Sequence, residues 1–131
     1  MRRSRWIVLG AVVLAMGLCL SDGASAAVRS VKSCTIRGGL ETCSAAAQVK
    51  DPQALFVKVL SQPHQRASVF WQEVCTRNGL SVYKTGRFAG PTPLLRKIAM
   101  PYAAPDSCKF SAQGHLFSSG FLKVVLQART A

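Results

Sequence analysis

Beyond position 26, the residues whose types could do chemistry are Cys34, Cys43, Cys75 and Cys108, His64 and His115, and the acids Glu41, Asp51, Glu73 and Asp106. Eight, thirty-one and thirty-two residues separate successive cysteines. Zinc sites use ligands two to four residues apart in pairs, so no metal is implied. No C-x-x-C redox motif is present. A Ser-His-acid triad needs a histidine beside a nucleophile and a carboxylate. His64 lies in "SQPHQR", a polar turn, and the chain has no G-x-S-x-G elbow. Asp51 precedes Pro52 and Asp106 follows Pro105, where each suits a turn. That leaves Glu41 and Glu73, which nothing in the sequence brings together as a glycosidase pair. There is no P-loop, dinucleotide fingerprint or calcium loop. The chain reads as no enzyme, with catalytic residues none, metal none and cofactors none.

The elements that hold these residues begin after an export signal. Arg2, Arg3 and Arg5 precede an uncharged apolar run, Trp6–Leu20, and Ala24-Ser25-Ala26 supplies small residues for cleavage after Ala26. A run of this length is short of the ~20 residues a spanning helix needs. The alternative is a lipid anchor at Cys19. Residues 1–26 are thus a signal peptide and 27–131 one secreted domain without a transmembrane segment. Seventeen basic against five acidic residues give the whole chain a net charge of +12. Such a surplus attracts anions and also keeps an exported protein soluble.

No long stretch has a helical apolar period. Short alternating runs recur near 31–37, 40–49, 54–60, 67–77, 80–87, 93–99, 107–117 and 121–129, divided by Gly, Pro, Asn and Ser. Seven or eight such strands read as an all-β antiparallel sandwich. Residues 27–30 read as a frayed arm, and "MPYAAPDSC" as an irregular crossing because Pro101 and Pro105 cannot donate to a ladder. Asn78-Gly79 predicts a tight hairpin that sets Val74 opposite Tyr83 and Glu73 opposite Lys84. In "VFWQEVC", alternation turns Glu73 inward with Trp71 and Cys75. Either a bulge re-aims it or that end of the strand is solvated.

Two further hairpins decide the remaining expectations. Four cysteines allow three pairings, and the count does not choose among them. A two-residue turn at Gly38-Gly39 would set Cys34 directly opposite Cys43, within reach of a disulfide, leaving Cys75 with Cys108. A three-residue loop, Ser118-Ser119-Gly120, would pair 107–117 with 121–129. Leu116, Gly114, Ala112 and Phe110 would then share a buried face with Leu122, Val124, Leu126 and Ala128. The reverse face would gather Lys109, His115, Phe117, Phe121, Lys123 and Arg129. Cations with aromatics on one face suggest anion or polysaccharide binding.

The segments "VFWQEVC", "TPLLRKIAMPYAAPDSCKFSAQGHL" and "GFLKVVLQA" resemble small secreted actinomycete proteins with an Ig-like β-sandwich and two disulfides. The resemblance covers roughly 33–129 and implies no catalytic residue. The expected function is a secreted, non-catalytic binding module that engages anionic envelope, cell-wall or extracellular polymers, with no specific nucleic acid partner. The alternatives are a small-ligand carrier and a secreted inhibitor or effector, with residues 88–106 as the loop an inhibitor would present.

Overall fold

The computed structural model describes residues 27–37 and 42–130. The expected export signal, its cleavage site and Cys19 lie outside the described residues, as do the Gly38-Gly39 turn and Glu41. Eight strands follow one another: β1 (Val28–Arg37), β2 (Thr42–Lys50), β3 (Pro52–Gln62), β4 (Arg66–Arg77), β5 (Leu80–Pro91), β6 (Leu94–Ile98), β7 (Ser107–Leu116) and β8 (Phe121–Thr130). They form two antiparallel four-stranded sheets, β1-β8-β3-β6 and β2-β7-β4-β5, referred to below as sheets A and B. The alternation of apolar residues produces this: each strand turns one side inward, and the two inner sides make one core. Leu55, Val57, Val59, Leu122, Val124 and Leu126 from sheet A meet Val69, Cys75, Phe110, Ala112 and Leu116 from sheet B.

The Asn78-Gly79 hairpin forms as expected. Both residues have positive φ, 52° and 80°, and Val74 pairs with Tyr83 and Glu73 with Lys84. The other two hairpins do not form. β1 pairs with β8 and β2 with β7, so the chain changes sheets between β1 and β2. It changes sheets again between β7 and β8, whose partners are β2 and β4 for the one and β1 and β3 for the other. The inward residues expected of β7 and β8 are all buried. They face each other across the core and not along a ladder. A Cβ added at Gly114 would lie 2.5 Å from a Val124 methyl, so the close approach of the sheets there requires glycine. Alternation fixes which side of a strand is buried, but a neighbour in the same sheet and one across the core satisfy it equally.

Both expected disulfides are present, one for a different reason. Cys34–Cys43 joins β1 to β2 and so ties sheet A to sheet B, with Cα atoms 5.8 Å apart. Cys75–Cys108 links directly opposed residues of β4 and β7 within sheet B, at 4.1 Å. The expected fraying of 27–30 is also corrected: Val28, Arg29 and Ser30 pair with Arg129, Ala128 and Gln127. The Pro101–Pro105 segment is an irregular crossing, anchored where the Tyr102 hydroxyl donates to the Leu80 carbonyl at 3.1 Å. At one end of the sandwich the Gln65 side chain accepts from the Ser118 N–H and hydroxyl, tying the β3–β4 and β7–β8 turns together. At the other end the Asp106 carboxylate accepts from the Asn78 N–H at 2.8 Å.

Glu73 takes neither of the courses expected for it. The β4 ladders run without a bulge from Arg66 to Arg77, and Glu73 is 1% exposed. Neither carboxylate oxygen has a hydrogen-bond partner. Burial pushes its pKa up to about 7, against an opposing pull from the Lys84 charge.

Candidate binding surfaces on the two outer faces

The six residues expected to form one face divide between two. Lys109 and His115 lie on the outer side of sheet B, in β7, with Phe117 just beyond its end and packed edge-on to the His115 ring at 5.9 Å. Phe121, Lys123 and Arg129 lie on the outer side of sheet A, in β8. The two sheets stand between them, so the six residues do not form one surface.

On the outer side of sheet B the registers build a four-by-four array. Successive rows read Gln48-Lys109-Val74-Tyr83, Ala46-Ser111-Gln72-Thr85, Ser44-Gln113-Phe70-Arg87 and Thr42-His115-Ser68-Ala89. Two residues of strand separate adjacent rows, about 7 Å, so the array is about 20 Å long. Three depressions follow it in series. The first, about 400 Å³, is lined by Gln48, Gln72, Val74, Tyr83, Lys109 and Ser111. The second, about 230 Å³, shares Gln72 and Ser111 with the first. The third, about 500 Å³, shares Phe70 and Gln113 with the second and ends at Arg87 and His115. Shared walls make the three one trough along β4 and β7.

The trough's lining has a definite chemistry. Gln72 and Gln113 each offer amide donors and an acceptor, and Ser44, Ser68 and Ser111 offer hydroxyls. Tyr83, 58% exposed, gives an aromatic wall at one end. Phe70 gives another, with the Arg87 guanidinium 5.1 Å from its ring centre. Lys109 stands at one end and Arg87 at the other. Glu73, the one acid in these strands, turns inward and is 1% exposed, yet it also lines the first depression beside Phe110.

Sheet A's outer side differs in kind. Its four strands contain eight basic residues and no acid: Arg37, Lys58, Lys97, Lys123 and Arg129 take outward positions, whereas Arg29, Lys32 and Arg96 pair with the inward Ala128, Leu126 and Val57. Arg37 stands beside Phe121, with its guanidinium 5.8 Å from the ring centre. Lys58 pairs with Val125 and Lys97 with Phe56. Lys58 and Lys123 are half-buried on the two central strands of the sheet. Arg96 belongs to the other side of β6 and caps the sandwich edge over Phe88 at 5.3 Å.

Sequence reasoning missed Gln48, Gln72, Gln113, Tyr83 and Phe70 on one face and Arg37, Lys58 and Lys97 on the other. The amides and aromatics occupy outward positions of four strands that become neighbours only through non-local pairing. The signal for the cations was available: β1, β3, β6 and β8 are acid-free as written. His64 is exposed in the β3–β4 turn, as expected. Among the described residues no three His, Cys, Asp or Glu side chains come together as metal ligands would.

No protein-family model matches the sequence, and no curated protein is similar to it. Among solved structures, the chain is similar to a promiscuous carbohydrate-binding module of the β-sandwich superfamily, at 7% identity and a TM-score of 0.38. That likeness covers 85% of this chain and 59% of the other, so the chain spans about three fifths of that protein's length. It is similar to TmCBM61 in complex with β-1,4-galactotriose, at 7% identity and a TM-score of 0.38, over 86% and 94% of the two chains. It is similar as well to a family 11 carbohydrate-binding module from Clostridium thermocellum, at 13% identity and a TM-score of 0.30, over 83% and 86%. These are likenesses of layered strands, and the ligand question rests on the two faces themselves.

Proposed function

We propose that the protein is a non-catalytic binding module of the cell exterior that holds one chain of an acidic polysaccharide in the trough of sheet B. The observation that carries this is the continuity of the three depressions through shared Gln72, Ser111, Phe70 and Gln113. A trough about 20 Å long suits an extended chain better than a compact ligand. Planar amides beside serine hydroxyls suit vicinal sugar hydroxyls, which need donors and acceptors close together. Tyr83 and Phe70 offer apolar ring faces to the pyranose rings. Lys109 at one end and Arg87 at the other favour carboxylates on the chain. Two disulfides are what an exported domain of this size carries.

Isothermal titration with polygalacturonate and hyaluronan fragments, with dextran as the neutral control, tests the reading. Binding of an acidic polysaccharide is expected to fall about tenfold or more in the Gln72→Ala/Gln113→Ala variant while its melting temperature stays within a few degrees. Absence of binding to both acidic polysaccharides, or binding that the double variant leaves intact, would sink it.

A further inference from the structure

We infer that the outer side of sheet A is a second binding surface, and that it takes a linear phosphate-bearing polyanion laid obliquely across the strands. The inference rests on how Arg37, Lys123, Lys58 and Lys97 are placed. Arg37 in β1 is level with Phe121 of β8. Lys123 is two residues further along β8. Lys58 in β3 is level with Val125, two residues further again. Lys97 in β6 pairs with Phe56, which is level with Gln127. Each step moves one strand sideways and two residues along, about 8 Å. The four cations therefore fall on one diagonal that crosses every strand of the sheet, about 25 Å from end to end.

A diagonal of this kind is a specific arrangement. Like charges on neighbouring strands repel, and sheets normally interleave acids to offset them. Here the strands supply none, so the repulsion is left for a ligand to neutralise. Four of the five outward cations form this line, with Arg129 off it further along β8, and a line matches a chain and not a plane of headgroups. The line passes between half-buried Phe56 and Leu60 and exposed Leu95, so no competing hydrogen-bond donor or acceptor sits beside it in β3 or β6. Three of the four cations are lysines, which bind phosphate as point charges without the bidentate geometry of an arginine fork. The Arg37 guanidinium is held at its end of the line by the Phe121 ring. The surface lies on the opposite side of the sandwich from the trough, so the two ligands do not compete for space.

The probe is long-chain inorganic polyphosphate titrated onto the disulfide-bonded protein from 50 to 400 mM NaCl. Four neutralised cations predict that log K falls against log salt with a slope of about −3. Lys58→Glu/Lys97→Glu/Lys123→Glu is expected to lower affinity at 100 mM NaCl by about a hundredfold or more and to leave polygalacturonate binding within about twofold. The milder Lys58→Gln/Lys97→Gln/Lys123→Gln variant is expected to reduce the slope by about 2, which keeps the test decisive if the reversal does not fold. Lys50→Glu/Arg77→Glu/Lys84→Glu changes the net charge equally on sheet B and is expected to cost less than about tenfold. Equal losses in the two reversal variants would mean that net charge alone is read, and would overturn the inference. So would binding to vesicles of mixed anionic and neutral lipid without binding to polyphosphate, which would assign the face to a membrane.

Discussion

The two outer faces of the sandwich share one pleat and one core, yet they divide the polar residues between them by type. Sheet B collects amides, hydroxyls and aromatic rings into a trough with cations at its ends. Sheet A collects cations on a flat diagonal and has no acid in any strand. The surplus charge of the chain is therefore not a uniform coat. Eight of the basic residues lie in sheet A strands without an opposing carboxylate. In sheet B the single carboxylate, Glu73, is turned inside. A trough reads the shape and hydroxyls of a chain, whereas a line of charge reads the spacing and sign of its anions. The faces are built to hold different polymers.

That division depends on the sheets being held in register, and the strongest way to disturb it is to remove the bridge between them. Cys34–Cys43 is the covalent tie from sheet A to sheet B, with a sequence separation of 9. Closing a loop of that size is worth about 3 kcal/mol. The Cys34→Ser/Cys43→Ser variant is expected to melt about 10 °C or more below the parent, read by thermal denaturation under non-reducing conditions. Because β1 contributes Arg37 to the diagonal, polyphosphate affinity is expected to suffer more in this variant than binding in the trough. An equal loss at both faces would show that the bridge stabilises the whole and not the relation between the sheets.

Glu73 puts a pH dependence into sheet B that sheet A lacks. Its folded pKa, about 7, lies above the ordinary 4.5. Below pH 4.5 it is protonated whether folded or unfolded and makes no difference to stability. Between 4.5 and 7 the unfolded chain loses the proton while the folded one keeps it, so stability falls as pH rises. Above 7 the full loss has been reached, about 3 kcal/mol. Glu73→Gln is expected to raise the melting temperature at pH 8 and to leave it nearly unchanged at pH 4. Lys84, opposite in β5, softens the effect, so Lys84→Gln should steepen the parent's decline. A Glu73→Gln protein no more stable than the parent at pH 8 would mean that water reaches the carboxylate.

The division of the faces was only partly legible in the sequence. Strand positions, burial sides and the Asn78-Gly79 turn follow from local patterns, because alternation and turn chemistry act over a few residues; both cysteine pairs are the expected ones, but Cys34–Cys43 bridges the two sheets and not a hairpin. The partners of β1, β2, β7 and β8 do not. A short connection can close a hairpin or carry the chain over to the other sheet, and the buried residues come out the same. Misjudging β7 and β8 as a hairpin merged two half-surfaces, Lys109 with His115 and Lys123 with Arg129, into one. Glu73 was legible as an inward residue but not as a buried one, since that depends on what covers it from the opposite sheet.

Gly114 tests the crossing itself. If β7 faced β8 along a ladder, a Cβ at position 114 would stand about 5 Å from that of Val124. Across the core, a Cβ there meets the Val124 methyl at 2.5 Å. Gly114→Ala is expected to cost about 1–3 kcal/mol, measured by urea denaturation. Val124→Ala in the same chain should recover part of that loss by making room, whereas additive losses would place the two residues apart.

The smallest expected effects discriminate best. Lys109 and Lys123 were drawn together by the sequence and are held apart by the fold, one on each face. If the faces are independent, neutralising either cation affects one ligand only. Lys123→Gln is expected to flatten the salt dependence of polyphosphate binding by about 0.7 in slope, the contribution of one cation, with polygalacturonate unaffected. Lys109→Gln is expected to weaken polygalacturonate severalfold at low salt and to leave the polyphosphate slope where it was. The single changes are mild enough to spare the core, since both side chains point outward. A cross-effect, in which either substitution alters both ligands, would mean that one polymer reaches around the sandwich to contact both faces, and the trough and the diagonal would then be parts of a single surface.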